Sequence, residues 1–328
     1  MTLALKPRLP LAAAAATFAA AALPLLLRAL HSRWRRRCIL SHVASHRSIR
    51  KFLPRPVDES VLRQVLSTAM RSSNNGNMQT YSCIITQDKR KLEQLALIHD
   101  NSAIASAPVL LTFVSDWSRM TRWCHLRGAT PGYDNFNAFL TGALDAMVAA
   151  QSAALCAEAA SLGVCFLGST IWEPARLNAF FSLPPHVHVV TSLMLGHPAE
   201  HPPLRARLPA AAHLHREAYV PMDDGALAAY YAAREVEGWA RYERLYGGGW
   251  AEKLRAHRLE NLAQVYATIK YSGRDFRVWS RRLAASLEAQ GFGRNEAAEG
   301  DEAPCACCGK WSHCLDPERF GAADAAER

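Results

Sequence analysis

The sequence lacks three features that would assign it quickly to a common class. It has no GxGxxG fingerprint, which argues against a doubly wound dinucleotide-binding sheet. Its nine cysteines form no regular framework, which argues against a disulfide-stapled secreted protein. It has no internal repeat, which excludes a solenoid or a propeller. We therefore expect one large domain of about 250 residues with an appendage at each end.

Acidic residues are absent before Asp58. Lys6 and Arg8 precede an uncharged apolar run at residues 11–27, and five arginines follow that run: Arg28, Arg33, Arg35, Arg36 and Arg37. At about 1.5 Å per residue the run spans roughly 25 Å, slightly less than a bilayer core of about 30 Å. This pattern favours a transit peptide for a mitochondrion or another organelle. The alternative is a membrane tether through the same run.

The formal net charge of +9 does not predict nucleic-acid binding. Residues 1–40 hold seven basic residues and no acidic one, whereas residues 295–328 hold eight acidic and three basic residues. The remaining surplus is spread through predicted helices rather than gathered in one block. The sequence thus divides into a targeting or anchoring extension at 1–40, a main domain at 41–293 and a polar cysteine-containing tail at 294–328.

Hydrophobic spacing predicts helices and strands that alternate irregularly along the domain. The predicted helices cover residues 59–71, with Asp58 as N-cap, then 88–98, 137–162 and 173–182, and a helical region at 223–290 is interrupted near 246–250. The predicted strands cover residues 81–86, 108–116, 163–170 and 187–196. Residues 117–135 predict a long loop, a candidate lid. Because no regular βαβ repeat appears, we predict a three-layer α+β fold with a mixed, mainly antiparallel sheet flanked by helices.

Two basic segments are candidate anion-binding elements. In the segment His46-Arg47-Ser48-Ile49-Arg50-Lys51-Phe52, alternation along an extended backbone would place His46, Ser48 and Arg50 on one face. A second pair, Arg205 and Arg207, follows the last predicted strand. Together the two segments could close on one phosphate. Each segment taken alone is more typical of a solvated basic surface.

The ordered combination of motifs resembles the nitroreductase superfamily, in particular its branch of flavin reductase P and oxygen-insensitive NADPH nitroreductases. The motifs are HRSIRKF at 46–52, a Ser/Asn loop ending in Met78-Gln79, a long apolar helix followed by LGS, and LRARLP at 204–209, with His215 and Tyr219 downstream. The resemblance covers about residues 42–290. It implies an obligate homodimer that binds FMN and transfers two electrons from NAD(P)H to nitroaromatics, quinones or flavins by a ping-pong mechanism.

The resemblance also implies roles for particular residues. His46, Arg47, Ser48, Arg205 and Arg207 would hold the FMN phosphate and ribityl chain. Arg50 would face the pyrimidine edge of the flavin, where a cation stabilises the reduced form. Asn74 and Asn101 match positions that hydrogen-bond the isoalloxazine, and Gly168 matches a backbone donor near flavin N5. No protein side chain is predicted to act as the catalytic acid or base, because the flavin performs the redox chemistry.

Three questions stay open at the level of sequence. The region that recognises the NADPH 2′-phosphate in this branch corresponds here to residues 246–250, with Arg241 and Arg244 nearby, so the choice between NADPH and NADH is undecided. The tail holds a group of thiols at Cys305, Cys307, Cys308 and Cys314 whose spacing matches no standard paired zinc knuckle, and no metal site is predicted. The alternative to an enzyme is a membrane-tethered flavin-binding or sensing module without turnover.

Overall fold

A computed structural model of the chain describes residues 37–294. The predicted targeting or anchoring run at 11–27 and the tail cysteines from Cys305 to Cys314 lie outside the described residues. The description begins with a helical stretch at residues 37–44, which is joined to the domain by a hydrogen bond between His42 Nε2 and Leu155 O at 3.1 Å.

The described residues form one four-stranded sheet. Its strands are β1 (Tyr81–Thr86), β2 (Val109–Asp116), β3 (Gly163–Leu167) and β4 (Val187–Gly196), in the order β1-β2-β4-β3. Every neighbouring pair of strands is antiparallel. The parallel component of the predicted mixed sheet is a single bridge between Ser48 and Val164 at the β3 edge.

Ten α-helices accompany the sheet in this part of the chain, in addition to the helical stretch at residues 37–44. They are α1 (Glu59–Ala69), α2 (Lys89–Ile98), α3 (Ala103–Ser106), α4 (Ser118–Leu126), α5 (Phe136–Ala159), α6 (Pro174–Phe180), α7 (Asp224–Tyr246), α8 (Gly248–His257), α9 (Leu262–Val265) and α10 (Gly273–Ala289). Asp58 caps α1 as predicted, since its side chain accepts a hydrogen bond from the backbone N–H of Ser60.

The sheet is buried on both faces, which confirms the three-layer α+β prediction. On one face, α1 and α5 pack against alternate β2 residues such as Val109 and Leu111. On the other face, α2, α3 and α6 pack against the intervening residues, such as Leu110 and Val114. All eight residues of β2 are buried, as its continuous apolar run predicted.

Helix α5 is the one helix in the described residues that is long and apolar enough to cross a membrane. Its small residues Ala146, Ala149, Ala150 and Ala153 are fully buried against α1 and the sheet. These contacts make α5 a core helix, as its composition predicted.

The prediction of a long loop at 117–135 is wrong over its first half, because residues 118–126 form α4. Tertiary contacts hold this helix in place. Arg119 bonds Asp116 at 2.8 Å, the carbonyl oxygens of Gln79 and Tyr81 at 2.9 and 2.7 Å, and the hydroxyl of Ser82. The buried Trp117 ring packs 4.4 Å from the ring of Tyr133. A segment held in this way is unsuited to act as a freely opening lid.

A buried polar network connects the last helix, α10, to the sheet. His188 Nδ1 lies 2.8 Å from the carbonyl oxygen of Val189, and its Nε2 lies 3.0 Å from Ser286 Oγ. The amide of Asn178 donates to the same Ser286 oxygen at 3.1 Å. The network therefore ties α6, β4 and α10 together.

Candidate functional site

The basic segment at 46–52 runs along the free edge of β3. The backbone N–H of Ile49 donates to the carbonyl oxygen of Val164 at 2.8 Å, and Ser48 forms a parallel bridge with the same residue. Ile49 and Phe52 are buried in the core. The side chains of Ser48 and Arg50, which flank Ile49 along the chain, therefore project away from the core.

These side chains line a cavity of about 420 Å³. One wall comes from the segment at 46–51, the second from residues 200–207 after β4, and the third from the end of α7. The lining residues are His46, Arg47, Ser48, Arg50, Lys51, Glu200, Pro202, Pro203, Arg205, Arg207, Glu237, Arg241, Arg244 and Leu245.

The cavity is strongly cationic, with seven arginine and lysine side chains against two carboxylates. Both carboxylates are engaged locally. Glu200 accepts the backbone N–H groups of Arg50 and Lys51 at 2.6 and 3.2 Å, and Glu237 pairs with Arg205 at 3.3 Å. Within residues 37–294, no ion pair engages Arg50, Arg207 or Arg244. Such a donor set fits a phosphate group.

His46 lines the cavity, and a contact with Glu158 fixes the orientation of its ring. Its Nδ1 lies 2.7 Å from Glu158 Oε1, at the end of α5. Because a carboxylate accepts only, Nδ1 carries the proton in this contact, and the remaining ring nitrogen is left for other partners. Glu158 thus acts as the residue that orients His46.

Arg47 contributes a donor without a partner. One of its terminal nitrogens donates to the carbonyl oxygen of Ser45 at 2.8 Å, whereas its Nε is buried and has no hydrogen-bond partner among the described residues. A buried orphan donor beside a cationic cavity is what an absent anionic ligand would leave. This observation supports the fit of a phosphorylated cofactor.

The predicted residue Asn74 lies in a separate loop held by α5. Its side-chain oxygen accepts the backbone N–H of Gln79 at 3.1 Å. The buried Asp145 accepts the backbone N–H of Asn75 and the hydroxyl of Thr80, both at 2.9 Å. Positive φ angles at Gly76, Asn77 and Gln79 fold the loop back tightly. Strained backbone of this kind concentrates at functional sites.

The predicted residues Asn101 and Gly168 lie in two segments that are joined by a hydrogen bond between His99 and Ser169. Asn101 follows α2 and accepts the backbone N–H of Ala103 at 3.1 Å. Gly168 begins the turn after β3, and apart from Gly168 and its two chain neighbours no described atom comes within 4 Å of the position that a Cβ would take there. The backbone on this side is therefore open to a planar ligand.

Six of the nine predicted cofactor residues thus line one cavity, namely His46, Arg47, Ser48, Arg50, Arg205 and Arg207. Asn74, Asn101 and Gly168 do not line it, and their roles stay predictions. Sequence reasoning missed Lys51, Glu200 and Glu237, and it left Arg241 and Arg244 without a role. The i, i+3 spacing of the last two on a helix was the available signal.

No group of three or more metal-ligating side chains occurs in the 37–294 range. The five cysteines described there are free, and burial raises the pKa of the Cys83 thiol to about 12. The Cys83 thiol is therefore protonated and unreactive at neutral pH.

Comparison with known proteins identifies the family and supports the fold. The nitroreductase family model matches residues 43–197. The oxygen-insensitive NADPH nitroreductase of Salmonella typhimurium is 30% identical over 189 residues, covering 57% of this chain and 77% of that protein. The NADPH-flavin oxidoreductase of Vibrio harveyi is 29% identical, covering 58% and 82%. A crystal structure of a Bacteroides fragilis protein is 33% identical, with a TM-score of 0.71, and covers 77% of this chain and 99% of the other. The chain belongs to the nitroreductase family.

Proposed function

We propose that the protein passes two electrons from NAD(P)H through FMN to nitroaromatic, quinone or flavin acceptors, in a ping-pong sequence. As a member of its family the chain is an NAD(P)H-dependent oxidoreductase with FMN as cofactor. The observation that carries the proposal is the cavity that gathers both basic segments, with seven cationic side chains and a buried, unpartnered Arg47 nitrogen.

We assign the phosphate of FMN to the two basic segments. Arg47, Ser48, Arg205 and Arg207 supply charge and hydrogen-bond donors from two walls, and His46 is oriented by Glu158. When bound, FMN supplies the hydride chemistry. A fixed guanidinium such as that of Arg50 would stabilise negative charge on the reduced cofactor, which favours transfer of an electron pair.

The third wall of the cavity supports a preference for one nucleotide donor. Arg241 and Arg244 extend from the last turn and a half of α7, and both line the cavity. A single phosphomonoester carries about two negative charges, which leaves part of the cationic surplus uncompensated. We therefore propose that these two arginines bind the 2′-phosphate of NADPH and make NADPH the preferred donor.

An exposed apolar stripe on α5 supports assembly as a homodimer. Leu140, Leu144, Met147 and Val148 lie at helical spacing on one side, and Leu144 is 60% exposed. Such a stripe on the longest helix is typical of a subunit interface. A second copy of this chain is the proposed partner.

The proposed function is tested first by titrating the full-length chain with FMN and following visible absorbance. We expect a bound flavin whose absorbance is lost on anaerobic addition of a nicotinamide nucleotide and restored by a quinone. A chain that binds no FMN would overturn the proposal. A chain that binds FMN but is never reduced would instead point to the binding or sensing module.

A pair of variants localises the cofactor within that experiment. Replacing Arg207 with Ala should weaken FMN binding roughly 10- to 100-fold, because a charge-assisted hydrogen bond is lost. The exposed Arg281 on α10 provides the matched control, since Arg281→Ala removes the same charge away from the cavity. Equal weakening by both variants would contradict placement of the phosphate in this cavity.

A further inference from the structure

His99 occupies a structured corner at the end of α2. It is the C-cap residue of that helix, and its side chain is only 3% exposed. The next residue, Asp100, has a φ of 48°, and the backbone N–H of Asn101 returns to the carbonyl oxygen of Ala96 at 2.9 Å. This is a left-handed helix ending, which fixes the backbone that carries Asn101.

The His99 ring reaches across to the turn that follows β3. Its Nδ1 lies 2.9 Å from Ser169 Oγ, and Ser169 is also buried. Ser169 belongs to the turn Gly168–Ile171, which is closed by a bond from the Thr170 hydroxyl to the carbonyl oxygen of Leu167 at 3.0 Å. One side-chain hydrogen bond therefore joins the segment that bears Asn101 to the segment that bears Gly168.

The protonation state of His99 determines which groups this contact leaves free. Burial lowers the pKa of His99 to about 4, so the ring is neutral at physiological pH. Its Nε2 is buried and has no hydrogen-bond partner in the described part of the chain. Leaving a bare nitrogen unpaired costs less than burying an unpaired N–H, which favours the tautomer with the proton on Nδ1. Nδ1 then donates to the Ser169 oxygen, and the Ser169 hydroxyl can donate its own hydrogen to another acceptor.

We propose that His99 is a positioning residue for the flavin, which acts by holding the Gly168 turn against the Asn101 corner and by orienting the Ser169 hydroxyl as a donor to the bound cofactor. This inference rests on the proposed function. The two segments that we expect to contact the isoalloxazine are then locked at one separation before the cofactor binds. Hydrogen bonds in series reinforce each other in a buried site, so the His99 contact strengthens the Ser169 donor.

The first arm of the test needs no flavin. Amide hydrogen exchange is measured on the flavin-free full chain for the wild type, His99→Leu, Ser169→Ala and His99→Asn. Loss of one neutral hydrogen bond should speed exchange at residues 168–171 about fivefold in the first two variants. The Asn amide can replace Nδ1 as a donor, so His99→Asn should restore slow exchange. Unchanged exchange in both His99→Leu and Ser169→Ala would overturn the proposal.

The second arm uses the FMN-loaded chain and reads the visible circular dichroism and the midpoint potential of the bound flavin. Both should shift in His99→Leu and in Ser169→Ala, without further change in the double variant, because the two residues act through one contact. The control is His188→Asn, which alters a second buried histidine in a network away from the turn and should leave both signals unchanged. Unaltered signals in the two test variants, with normal FMN binding, would overturn this inference alone. A wild-type chain without FMN binding would overturn the proposed function as well.

Discussion

Arginine residues serve two different purposes in this protein, and their partners tell them apart. Arg119 is structural, because its guanidinium is shared among Asp116, two backbone carbonyl oxygens and a hydroxyl. Arg207 and Arg244 line a cavity and take part in no ion pair of the described residues. A guanidinium without an internal partner in a cationic cavity is available to an anionic ligand.

The donor preference is a prediction at the same scale. Arg241→Ala combined with Arg244→Ala should raise the KM for NADPH roughly 10- to 100-fold, because charge-assisted bonds to the 2′-phosphate are lost. The KM for NADH, which lacks that phosphate, should change little. Steady-state kinetics with both donors, and with Arg281→Ala as control, measures the difference. A parallel loss with NADPH and NADH would show that these arginines hold something common to both donors.

The candidate site could be predicted from the sequence where its residues are close along the chain. The alternation of His46, Ser48 and Arg50 needs only an extended backbone, and the structure provides one through the bond between Ile49 and Val164. The position of Arg241 at the same cavity could not be predicted in this way. It depends on how α7 packs back over the segment after β4, where Glu237 bonds Arg205 and the backbone of Ala206.

At the scale of elements, the strands and the long helices follow from their apolar spacing, whereas α4 does not. Strands β1 and β4 begin and end where the sequence predicted. Helix α4 has nine residues, and among them only Cys124 is buried. Its conformation is imposed by Arg119 and by the packing of Trp117, which are contacts with distant segments. Local spacing carries little information about such a helix.

The exposed stripe on α5 leads to a prediction about assembly. Leu144→Glu places a charge at the most exposed apolar position of the stripe and should convert a dimer to monomers, because an unpaired charge in an apolar interface is costly. Sedimentation velocity measures the change. The matched control is Gln64→Glu, which adds the same charge at an exposed position on α1 that does not belong to the stripe. A wild-type chain that sediments as a monomer at micromolar concentration would contradict the proposed homodimer.

At the scale of the whole molecule, two buried neutral histidines link distant parts of the fold. His99 joins the end of α2 to the turn after β3, and His188 joins β4 to α10 through Ser286. Burial lowers the pKa of each to about 4, compared with 6.5 for an exposed imidazole. In each case the folded state disfavours the charged ring, because desolvation is not offset by a carboxylate partner.

The stability of the fold should therefore fall in mildly acidic solution. Between pH 6.5 and 4 the unfolded chain binds protons at these histidines and the folded chain does not. The contribution of the two histidines to the free energy of unfolding is therefore fully present above pH 6.5 and is lost as the pH falls toward 4. Each histidine accounts for up to roughly 3 kcal/mol, or about 1.4 kcal/mol per pH unit.

Urea denaturation at pH 7.5, about 6 and about 5.5 measures this dependence before the carboxylates titrate. His188→Gln should remove about half of the slope, because one of the two linked groups is gone, while the exposed His257→Gln should leave the slope unchanged. The same slope in the wild type and in His188→Gln would mean that His188 is protonated equally in both states. The network through Ser286 would then tolerate a charged ring, and acid sensitivity would have to arise from His99 alone.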